Sequence, residues 1–207
     1  MAIETGIATS SKEVNKPRRH FLIGATSLVG SFGMIGATAP FVAAWTPSAQ
    51  ARAFAAPIRI NISKLKPGEL LGPVQAWRGM PVFVVYRTAE VLQRLETDVA
   101  ELRDPGSERE QQPTYAKNIW RSRRPEIGVY LGVCTHLSCA PKYFGAVEPL
   151  EWDANWKGGF YCMCHGSQYD LAGRVRKGVP APANLEVPPY SFEGDDVIVI
   201  GVDEHHA

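Results

Sequence analysis

Two short boxes contain the most informative residues of this sequence, Cys134-Thr-His136-Leu-Ser-Cys139 and Cys162-Met-Cys164-His165-Gly-Ser167-Gln-Tyr169-Asp170. All four cysteines of the 207-residue chain lie in these boxes, together with two of its five histidines. Mononuclear zinc fingers usually place two cysteines in one arm and two histidines in the other. Here each arm mixes thiol and imidazole. This mixture favours a two-metal centre in which each arm gives its thiolate to one metal and its imidazole to the other.

The boxes resemble those of Rieske iron–sulfur proteins, specifically the subunit of ubiquinol–cytochrome c reductase. This resemblance implies one [2Fe–2S] cluster per chain, with two cysteines on one iron and two histidines on the other. It assigns Cys134 and Cys162 to the first iron, and His136 and His165 to the second. His165 would also hydrogen-bond the hydroxyl of a quinol, which makes it the catalytic residue.

The resemblance also assigns roles to residues beside the ligands. Cys139 and Cys164 would form a disulfide that ties the two loops together. Ser167 and Tyr169 match the family's hydroxyl donors to cluster sulfur, which stabilise the reduced state and raise the potential. Leu137 would lie, with His165, in the contact surface for quinol and partner.

A proline-rich segment and two unusual positions complete the comparison of motifs. The segment Gly178-Val-Pro180-Ala-Pro182 resembles the family's proline loop, which covers the cluster from a third side. Proline stiffens such a loop because it fixes φ and reduces the freedom of the unfolded chain. Ser138 stands where Gly is usual and Met163 where Pro is usual. Neither supplies a ligand, so both bear on loop conformation.

Two simpler interpretations compete with a cluster. Four cysteines can form two structural disulfides in three pairings, but His136 and His165 would then have no role. A structural zinc site is the second alternative, and it would need neither Ser167 nor Tyr169. The match of both boxes favours the cluster.

Composition bounds the remaining possibilities. The chain has a formal net charge of +1, so no basic surplus is present to neutralise nucleic-acid phosphates. Its 45% hydrophobic content suits one globular core plus an appendage. The resemblance implies a mainly β fold: an N-terminal transmembrane helix, then a Rieske-type antiparallel β-sandwich head at 58–207. Within this head, a small cluster-binding subdomain is expected at about 128–185.

The N-terminal part predicts a membrane anchor. After Arg19 no Asp, Glu, Lys or Arg occurs until Arg52, and 21–45 is long enough for a transmembrane helix. The basic tail at 1–20 places the N-terminus in the cytoplasm. Arg18-Arg19-His-Phe-Leu resembles a twin-arginine export signal, which carries folded, cofactor-loaded proteins. The two arginines also satisfy the positive-inside rule without any such signal.

The segment 46–57 is rich in small residues and predicts a linker. Its resemblance to the family's hinge implies a flexible joint about which the head swings, although composition alone also fits a passive tether. Ala49-Gln-Ala51 resembles a signal-peptide cleavage site. The apolar stretch is longer than a typical signal core, so we expect an uncleaved anchor.

Patterns in the head predict its elements. Thr88 is the expected N-cap of a helix that ends at Asp104, followed by an exposed loop at 104–118. The residues between the boxes, 140–161, predict a surface loop. Alternation and β-rich runs predict strands at 57–62, 72–77, 80–86 and 127–133, and a hairpin of 187–192 and 197–202.

The resemblance implies electron transfer within quinol–cytochrome c oxidoreductase, a translocase of which this chain would be a subunit inactive alone. An electron, and a proton through His165, would come from quinol, and the electron would pass to a c-type cytochrome. The expected partners are a cytochrome b subunit with its quinol site, the c-type cytochrome, membrane lipid and a second copy of the complex. The expected location is the bacterial inner membrane, with the head in the periplasm.

Other Rieske proteins are the alternative class. A ferredoxin or oxygenase domain also has the four ligands, but generally lacks the extra cysteine pair and the Ser/Tyr donors. An oxygenase needs a second iron site, and no spare 2-His-1-carboxylate set is apparent. A carrier like the small subunit of arsenite oxidase fits less well, because of the anchor, the Ser/Tyr pair and the proline-rich loop.

Overall fold

The computed structural model describes residues 15–72 and 76–203. Residues 1–14 of the predicted tail, 73–75 of the predicted strand 72–77, and 204–207 therefore lie outside the described part. The chain divides into two units between Gln50 and Ala51. Each unit is described by itself.

The first unit is dominated by a long helix, α1 (Lys16–Ala44). It begins where the Asn15 side chain accepts a hydrogen bond from the Arg18 N–H, with Pro17 in the first turn. Its 29 residues span about 44 Å at ~1.5 Å per residue, more than a ~30 Å hydrocarbon core. All its side chains are exposed. The helical stretch Lys16–Ala55 is, by length and composition, able to cross a membrane.

Hydroxyl groups within α1 bond back to their own helix. Thr26, Ser31 and Thr38 donate to the carbonyls four residues earlier at 2.7, 2.8 and 2.9 Å. Each hydroxyl is therefore satisfied without a partner outside the helix, which is the condition for burial in lipid. Pro40 lies inside the helix, near its C-terminal end.

A short helix, α2 (Ala49–Ala55), occupies most of the predicted linker 46–57. At its end the carbonyl of Phe54 accepts a hydrogen bond from the N–H of Arg78, at 3.2 Å. The predicted boundaries of tail, anchor, linker and head stay predictions, although α1 begins before 21 and covers most of 21–45.

The second unit is built from short strands and one helix. All its strand pairs are antiparallel. Its elements, in chain order, are β1 (Ile58–Asn61), β2 (Leu70–Leu71), β3 (Ala76–Trp77), β4 (Met80–Tyr86), α3 (Ala89–Thr97), a 3₁₀ turn (Thr114–Ala116), β5 (Ile127–Leu131), β6 (Lys142–Phe144), β7 (Gly159–Cys162), β8 (Ser167–Tyr169), β9 (Tyr190–Glu193) and β10 (Val197–Ile200).

The strands form three sheets. The first has the order β1-β10-β9, and in the second β4 pairs with β2, β3 and β5. The third, β6-β7-β8, carries the second cysteine box. The rings of Phe83 on β4 and Phe160 on β7 stack with centroids 5.7 Å apart, which joins the second sheet to the third. This contact attaches the box-bearing sheet to the core of the head.

The burial of the strands in the core explains the sequence patterns that predicted them. In β4, Val82 and Val84 have no exposed surface, and every residue of β5 is buried, so both strands are continuous apolar runs. In β1, Ile60 is buried while Arg59 is exposed, as the alternating pattern predicted. The predicted mainly β fold with an N-terminal apolar helix is confirmed.

Helix α3 is shorter than predicted. Thr88 caps it by accepting the Val91 N–H, but the helix ends at Thr97 and not at Asp104. Beyond it the chain pairs with a distant segment: Leu102 bridges Arg176, and the Arg103 N–H donates to the Val175 carbonyl at 3.0 Å. Tertiary pairing therefore overrides the helical pattern, and Leu102 is buried without being helical.

Two predicted surface segments are more deeply packed than expected. In 104–118, Ser107 and Ala116 have no exposed surface, because this segment bonds to the residues after the proline loop. One such bond runs from Asn184 Nδ2 to the carbonyl of Asp104, at 3.0 Å. In 140–161, the chain supplies β6 and the first residues of β7, and Trp156 is buried.

Candidate metal centre

Two loops bring the cysteine boxes together. The first follows β5, whose buried strand ends at Leu131 just before Cys134. The second is the turn of the β7–β8 hairpin, in which Cys162 pairs with Ser167. Strong local patterns therefore place both loops: a buried apolar strand before the first, and a tight hairpin around the second.

The first loop is closed by its own backbone. The Cys134 N–H donates to the Cys139 carbonyl at 2.8 Å, and the Ser138 N–H donates to the Cys134 carbonyl at 3.0 Å. Ser138 has a φ of +64°, in the left-handed region that favours glycine. This conformation explains why Gly is usual at this position and why Ser138 is an exception.

The second loop is closed in a similar way. The Gly166 N–H donates to the Cys162 carbonyl at 2.9 Å, and Gly166 has a φ of +76°. Met163 forms part of this turn with its side chain 53% exposed. Its backbone position tolerates residues other than proline, because the turn is held by Gly166 and by the β7–β8 pairing.

The four predicted ligands come together at these loops. Cys134 and Cys162 are free, buried thiols. The rings of His136 and His165 have centroids 4.8 Å apart and meet edge to face. Two free thiols and two adjacent imidazoles are the donor set that a [2Fe–2S] cluster of this type requires. The residues present therefore fit the group.

The other two cysteines are at disulfide distance. Their sulfur atoms, in Cys139 and Cys164, are 2.09 Å apart, as the resemblance implied. Three sulfurs, those of Cys139, Cys162 and Cys164, lie within 4.8 Å of one another and could suggest a different metal site. Two of these three are joined to each other, so only Cys162 retains a thiolate to offer.

Tyr169 places its hydroxyl directly against the first thiol. Its oxygen lies 3.2 Å from Cys134 Sγ and accepts the Thr135 N–H at 3.1 Å. The Thr135 hydroxyl is also 3.1 Å from this oxygen and donates to the Ala183 carbonyl at 2.6 Å. Because the Thr135 hydroxyl donates to Ala183, it can only accept from Tyr169, so the single Tyr169 proton lies between two acceptors, the Thr135 oxygen and the Cys134 sulfur.

Ser167 connects the site to the proline loop. Its oxygen accepts the Ala181 N–H at 3.0 Å, so its own proton is free to donate toward Cys134. The loop carbonyls are held from outside: Arg103 bonds Val179 at 3.1 Å, and Arg109 bonds Pro182 at 3.4 Å. The predicted proline loop thus contacts the site through Ala181, which lies between Pro180 and Pro182. Gly178, the first residue of the loop, has a φ of +75°.

The titration of the site follows from these contacts. Burial favours the neutral thiol of Cys134. The hydrogen bonds it receives, first from Tyr169 and then from the His136 N–H, Cys162 and Ser167, outweigh burial and lower its pKa below the ordinary value. Burial raises the pKa of Cys162, and the neighbouring Cys134 adds to the rise. The pKa values of the two neighbouring thiols are therefore shifted in opposite directions.

Tyr169 keeps its proton under all ordinary conditions. Burial first, and then its contact with Cys134, raise the pKa of Tyr169 well above the usual range. A phenol that stays protonated can donate a hydrogen bond to sulfur, which is the role that the resemblance implies for Tyr169.

The tip of the two loops is exposed and partly apolar. His165 is exposed, His136 is partly buried, and Leu137 is 65% exposed. An exposed apolar side chain beside an exposed imidazole is typical of a contact surface.

Comparison with known proteins agrees with this geometry. The family model of the Rieske [2Fe-2S] domain matches residues 95–190. The ubiquinol-cytochrome c reductase iron-sulfur subunit of Allochromatium vinosum is 50% identical over 198 residues, which are 96% of this chain and 95% of the relative. The chain belongs to the Rieske iron–sulfur subunit family.

Further relatives of this family extend across bacteria and mitochondria. The subunit of the same name in Blastochloris viridis is 42% identical over 93% of this chain and 97% of the relative. The mitochondrial cytochrome b-c1 complex subunit Rieske of Chlorocebus aethiops is 38% identical over 93% of this chain and 63% of the relative. Rieske subunits of this family carry a [2Fe–2S] cluster, so the cofactor prediction is confirmed.

Sequence reasoning missed several residues of this Rieske site. Thr135 lies inside the first box, yet only the fold shows that it joins Tyr169 to Ala183. Arg103 and Arg109 lie far from both boxes in sequence, Arg103 in the predicted helix and Arg109 in the predicted exposed loop 104–118. No local pattern marks them, because their contacts depend on the long-range pairing of 101–103 with 175–177.

Proposed function

We propose that this chain is the electron-transfer subunit of a membrane quinol–cytochrome c oxidoreductase, a translocase, and is inactive alone. One observation carries the proposal: two free, buried thiols and two adjacent imidazoles lie on loops whose remaining cysteines are at disulfide distance. This arrangement occurs in a chain half identical to a ubiquinol-cytochrome c reductase subunit along nearly its whole length.

The ligands divide into two pairs. Cys134 and Cys162 would hold one iron, and His136 and His165 the other. A bound [2Fe–2S] cluster supplies a one-electron redox couple at this position. Neutral imidazoles in place of two thiolates remove negative charge, which raises the potential to roughly −150 to +300 mV from ~−400 mV for plant-type ferredoxins.

Hydroxyl groups of this chain would raise the potential toward the upper part of that range. Tyr169 accepts the Thr135 N–H and Ser167 accepts the Ala181 N–H. Each hydroxyl therefore has its acceptor side occupied, which leaves its proton free for a neighbouring acceptor such as sulfur. Donors to sulfur stabilise the reduced state, because reduction adds negative charge there.

His165 would receive the proton of the quinol. An imidazole that binds metal through one nitrogen leaves the other free to accept a hydrogen bond or a proton. His165 is the exposed member of the histidine pair. Leu137 would contact the ring of the quinol or the wall of its pocket. The buried Cys134 and Cys162 cannot reach a substrate, so the imidazole edge is the point of contact.

The first unit anchors the head. The apolar helix α1 would cross the bacterial inner membrane, with the basic Lys16, Arg18 and Arg19 on the cytoplasmic side and the head in the periplasm. Export through the twin-arginine route fits a head that carries a cofactor assembled in the cytoplasm. The disulfide fits the oxidising compartment.

Two partners complete the proposed reaction. A cytochrome b subunit would supply the rest of the quinol pocket, and a c-type cytochrome would receive the electron, within a dimeric complex. The segment 46–57 would allow the head to move between these partners.

The proposal is tested by a redox titration of membranes that contain the protein, in which electron paramagnetic resonance monitors the cluster signal. We expect a rhombic signal of low average g, with a high midpoint potential that falls as pH rises above neutrality, because a ligand histidine loses a proton more readily in the oxidised state. A low, pH-independent midpoint would indicate a ferredoxin-like carrier. Absence of the signal from metal-replete protein would contradict the proposal.

A further inference from the structure

Three arginine side chains are buried behind the second cysteine box. Arg121 and Arg174 have no exposed surface, and Arg87 has 2%. Burying a guanidinium group removes it from water at a large cost, which is usually offset by a carboxylate partner. The partners of these arginines therefore show how much positive charge remains in the interior.

Arg87 uses all five of its N–H groups on neutral acceptors. Its Nε donates to the carbonyl of Leu171 at 3.1 Å. The other acceptors are the carbonyls of Trp120 and Pro125, the Ser122 hydroxyl and the Tyr130 hydroxyl. The side chain is satisfied by hydrogen bonds, and its charge is not neutralised by them.

Arg121 also donates only to neutral acceptors, although its buried Nε has no hydrogen-bond partner among the described residues. Its Nη1 donates to the carbonyls of Ala172 and Gly173 at 3.2 and 3.3 Å. Its Nη2 donates to the Leu185 carbonyl at 2.6 Å and to Gln112 Oε1 at 3.1 Å. Burial lowers the pKa of Arg121 to about 10, so the group stays charged at neutral pH.

Only Arg174 has a carboxylate within ion-pair distance. Its Nε lies 2.7 Å from Asp170 Oδ2. Within the described ranges, 15–72 and 76–203, neither Arg87 nor Arg121 forms an ion pair with a carboxylate. The interior behind the box therefore contains three positive charges and one paired negative charge.

These charges adjoin the proposed metal site. Arg87 and Arg121 bind the carbonyls of Leu171, Ala172 and Gly173, which follow directly after Tyr169 and Asp170.

Arg87 is also connected to the region of Cys162, the second thiol, through Tyr130 and Phe160. Tyr130, which accepts a bond from Arg87, packs edge-on against Phe160 with ring centroids 6.0 Å apart. Phe160 lies on β7, close before Cys162. All these groups are buried, so little solvent separates the arginines from the thiols.

We infer that Arg87 and Arg121 raise the reduction potential of the cluster through their buried, unneutralised charge, an inference that rests on the ligand set proposed above. Reduction adds one negative charge to the site. A nearby positive charge in a low-dielectric interior stabilises that state more than the oxidised one, and salt screens it little. The arginines are positioning residues as well, since they hold the chain that follows Tyr169.

Charge and structure are separated by a matched set of variants in the full-length, cluster-loaded protein. Arg121→Gln removes the charge, and Arg121→Lys keeps it while losing the forked hydrogen bonds. Gln112→Glu keeps an oxygen acceptor for Arg121, adds a neutralising charge and leaves the buried arginine in place. It also exchanges Gln112 Nε2, which donates to the carbonyls of Ser107 and Arg109 at 2.9 Å, for an oxygen that cannot donate. The control is Arg59→Gln, at an exposed arginine paired with Glu193.

The measurement is the midpoint potential of the cluster, monitored by electron paramagnetic resonance, at low and at high salt. We expect a lower midpoint in Arg121→Gln and in Gln112→Glu at both salt concentrations, a midpoint close to wild type in Arg121→Lys, and no change in Arg59→Gln. The inference fails if Gln112→Glu leaves the midpoint unchanged, or if Arg121→Lys lowers it as much as Arg121→Gln.

If Arg121→Gln does not fold, the Gln112→Glu variant still tests whether the charge of Arg121 raises the midpoint potential. Gln112→Glu keeps the buried arginine. If Gln112→Glu itself does not yield folded, loaded protein, the decision passes to Arg87→Gln against Arg87→Lys: a lower midpoint confined to the glutamine variant supports the inference, and equal midpoints overturn it. A wild-type protein without the rhombic signal would contradict the proposed function instead. A normal signal with unshifted variants contradicts only the role of the arginines.

Discussion

The two cluster loops have similar backbone closure but different surroundings. A side-chain carbon added at Gly132, just before the first box, would lie 2.5 Å from the ring of Phe83. The same addition at Gly159, just before the second box, would lie 1.9 Å from the carbonyl oxygen of Tyr169. A ring can turn aside, whereas main chain in a strand pair cannot.

This difference in surroundings bears on which of the two loops can accept other residues. The first loop contains Ser138 in a left-handed conformation, φ +64°, and the loop still closes. The second loop uses Gly166 at φ +76° and Gly159 at φ +149°, and it sits inside the tightly paired hairpin β7–β8. We therefore expect the first loop to tolerate substitution better than the second.

The largest effect is expected from Gly159→Ala. The new methyl group would collide with the Tyr169 carbonyl, so the β7–β8 pairing must separate. We expect a loss of about 4 kcal/mol or more in the free energy of unfolding, the range reserved for severe clashes. Chemical denaturation of the loaded protein would measure it.

Gly132→Ala is the matched control for that substitution. Its clash is with the side chain of Phe83, which can shift, so the expected loss is about 1–3 kcal/mol, typical of overpacking. Equal losses at the two glycines would remove the distinction between the loops.

The next largest effect is expected from removing the bond between Cys139 and Cys164, which joins the two loops. Cys139→Ser together with Cys164→Ser removes a bridge with a sequence separation of 25. Chain entropy alone predicts a loss of about 3.5 kcal/mol for a loop of this length. Changing both residues avoids leaving a reactive thiol beside the site. Unfolding midpoints with and without reductant test this, and a wild type insensitive to reductant would contradict it.

Tyr169→Phe should lower the midpoint potential and destabilise the head by about 1–2 kcal/mol, because the Thr135 N–H loses its acceptor and sulfur loses its donor. Tyr143→Phe is the control, since its hydroxyl bonds the Gly68 carbonyl and does not contact a thiol. An unchanged potential in Tyr169→Phe would show that the hydroxyl does not donate to the site.

The smallest effect is expected from Ser138→Gly. Glycine relieves the left-handed strain but increases the freedom of the unfolded chain, so the net gain in stability should be below about 1 kcal/mol. Ser138→Ala, which keeps the strain, should show no gain. Denaturation curves for the pair measure this, and a clear loss in Ser138→Gly would mean that the serine hydroxyl contributes more than its backbone strain costs.

Sequence alone predicted what depends on local pattern. The resemblance of the boxes implied a ligand set and a cysteine pair, and the apolar runs predicted β4 and β5, because burial is encoded locally in the chain. The sequence could not show that α3 ends at Thr97 or that Ser107 is buried, since both follow from pairing with residues beyond 170. The buried arginines were missed for the same reason: composition shows their charge but not its surroundings.

The hydrogen bond between the Arg78 N–H and the Phe54 carbonyl has a consequence for the proposed swing of the head. It fastens the end of α2 to the turn between β3 and β4, and the Arg78 guanidinium lies 4.3 Å above the ring of Trp77 in the same place. If the head swings as proposed, Phe54 and the residues after it would move with it, and the flexible part of 46–57 would be confined to the residues before Phe54.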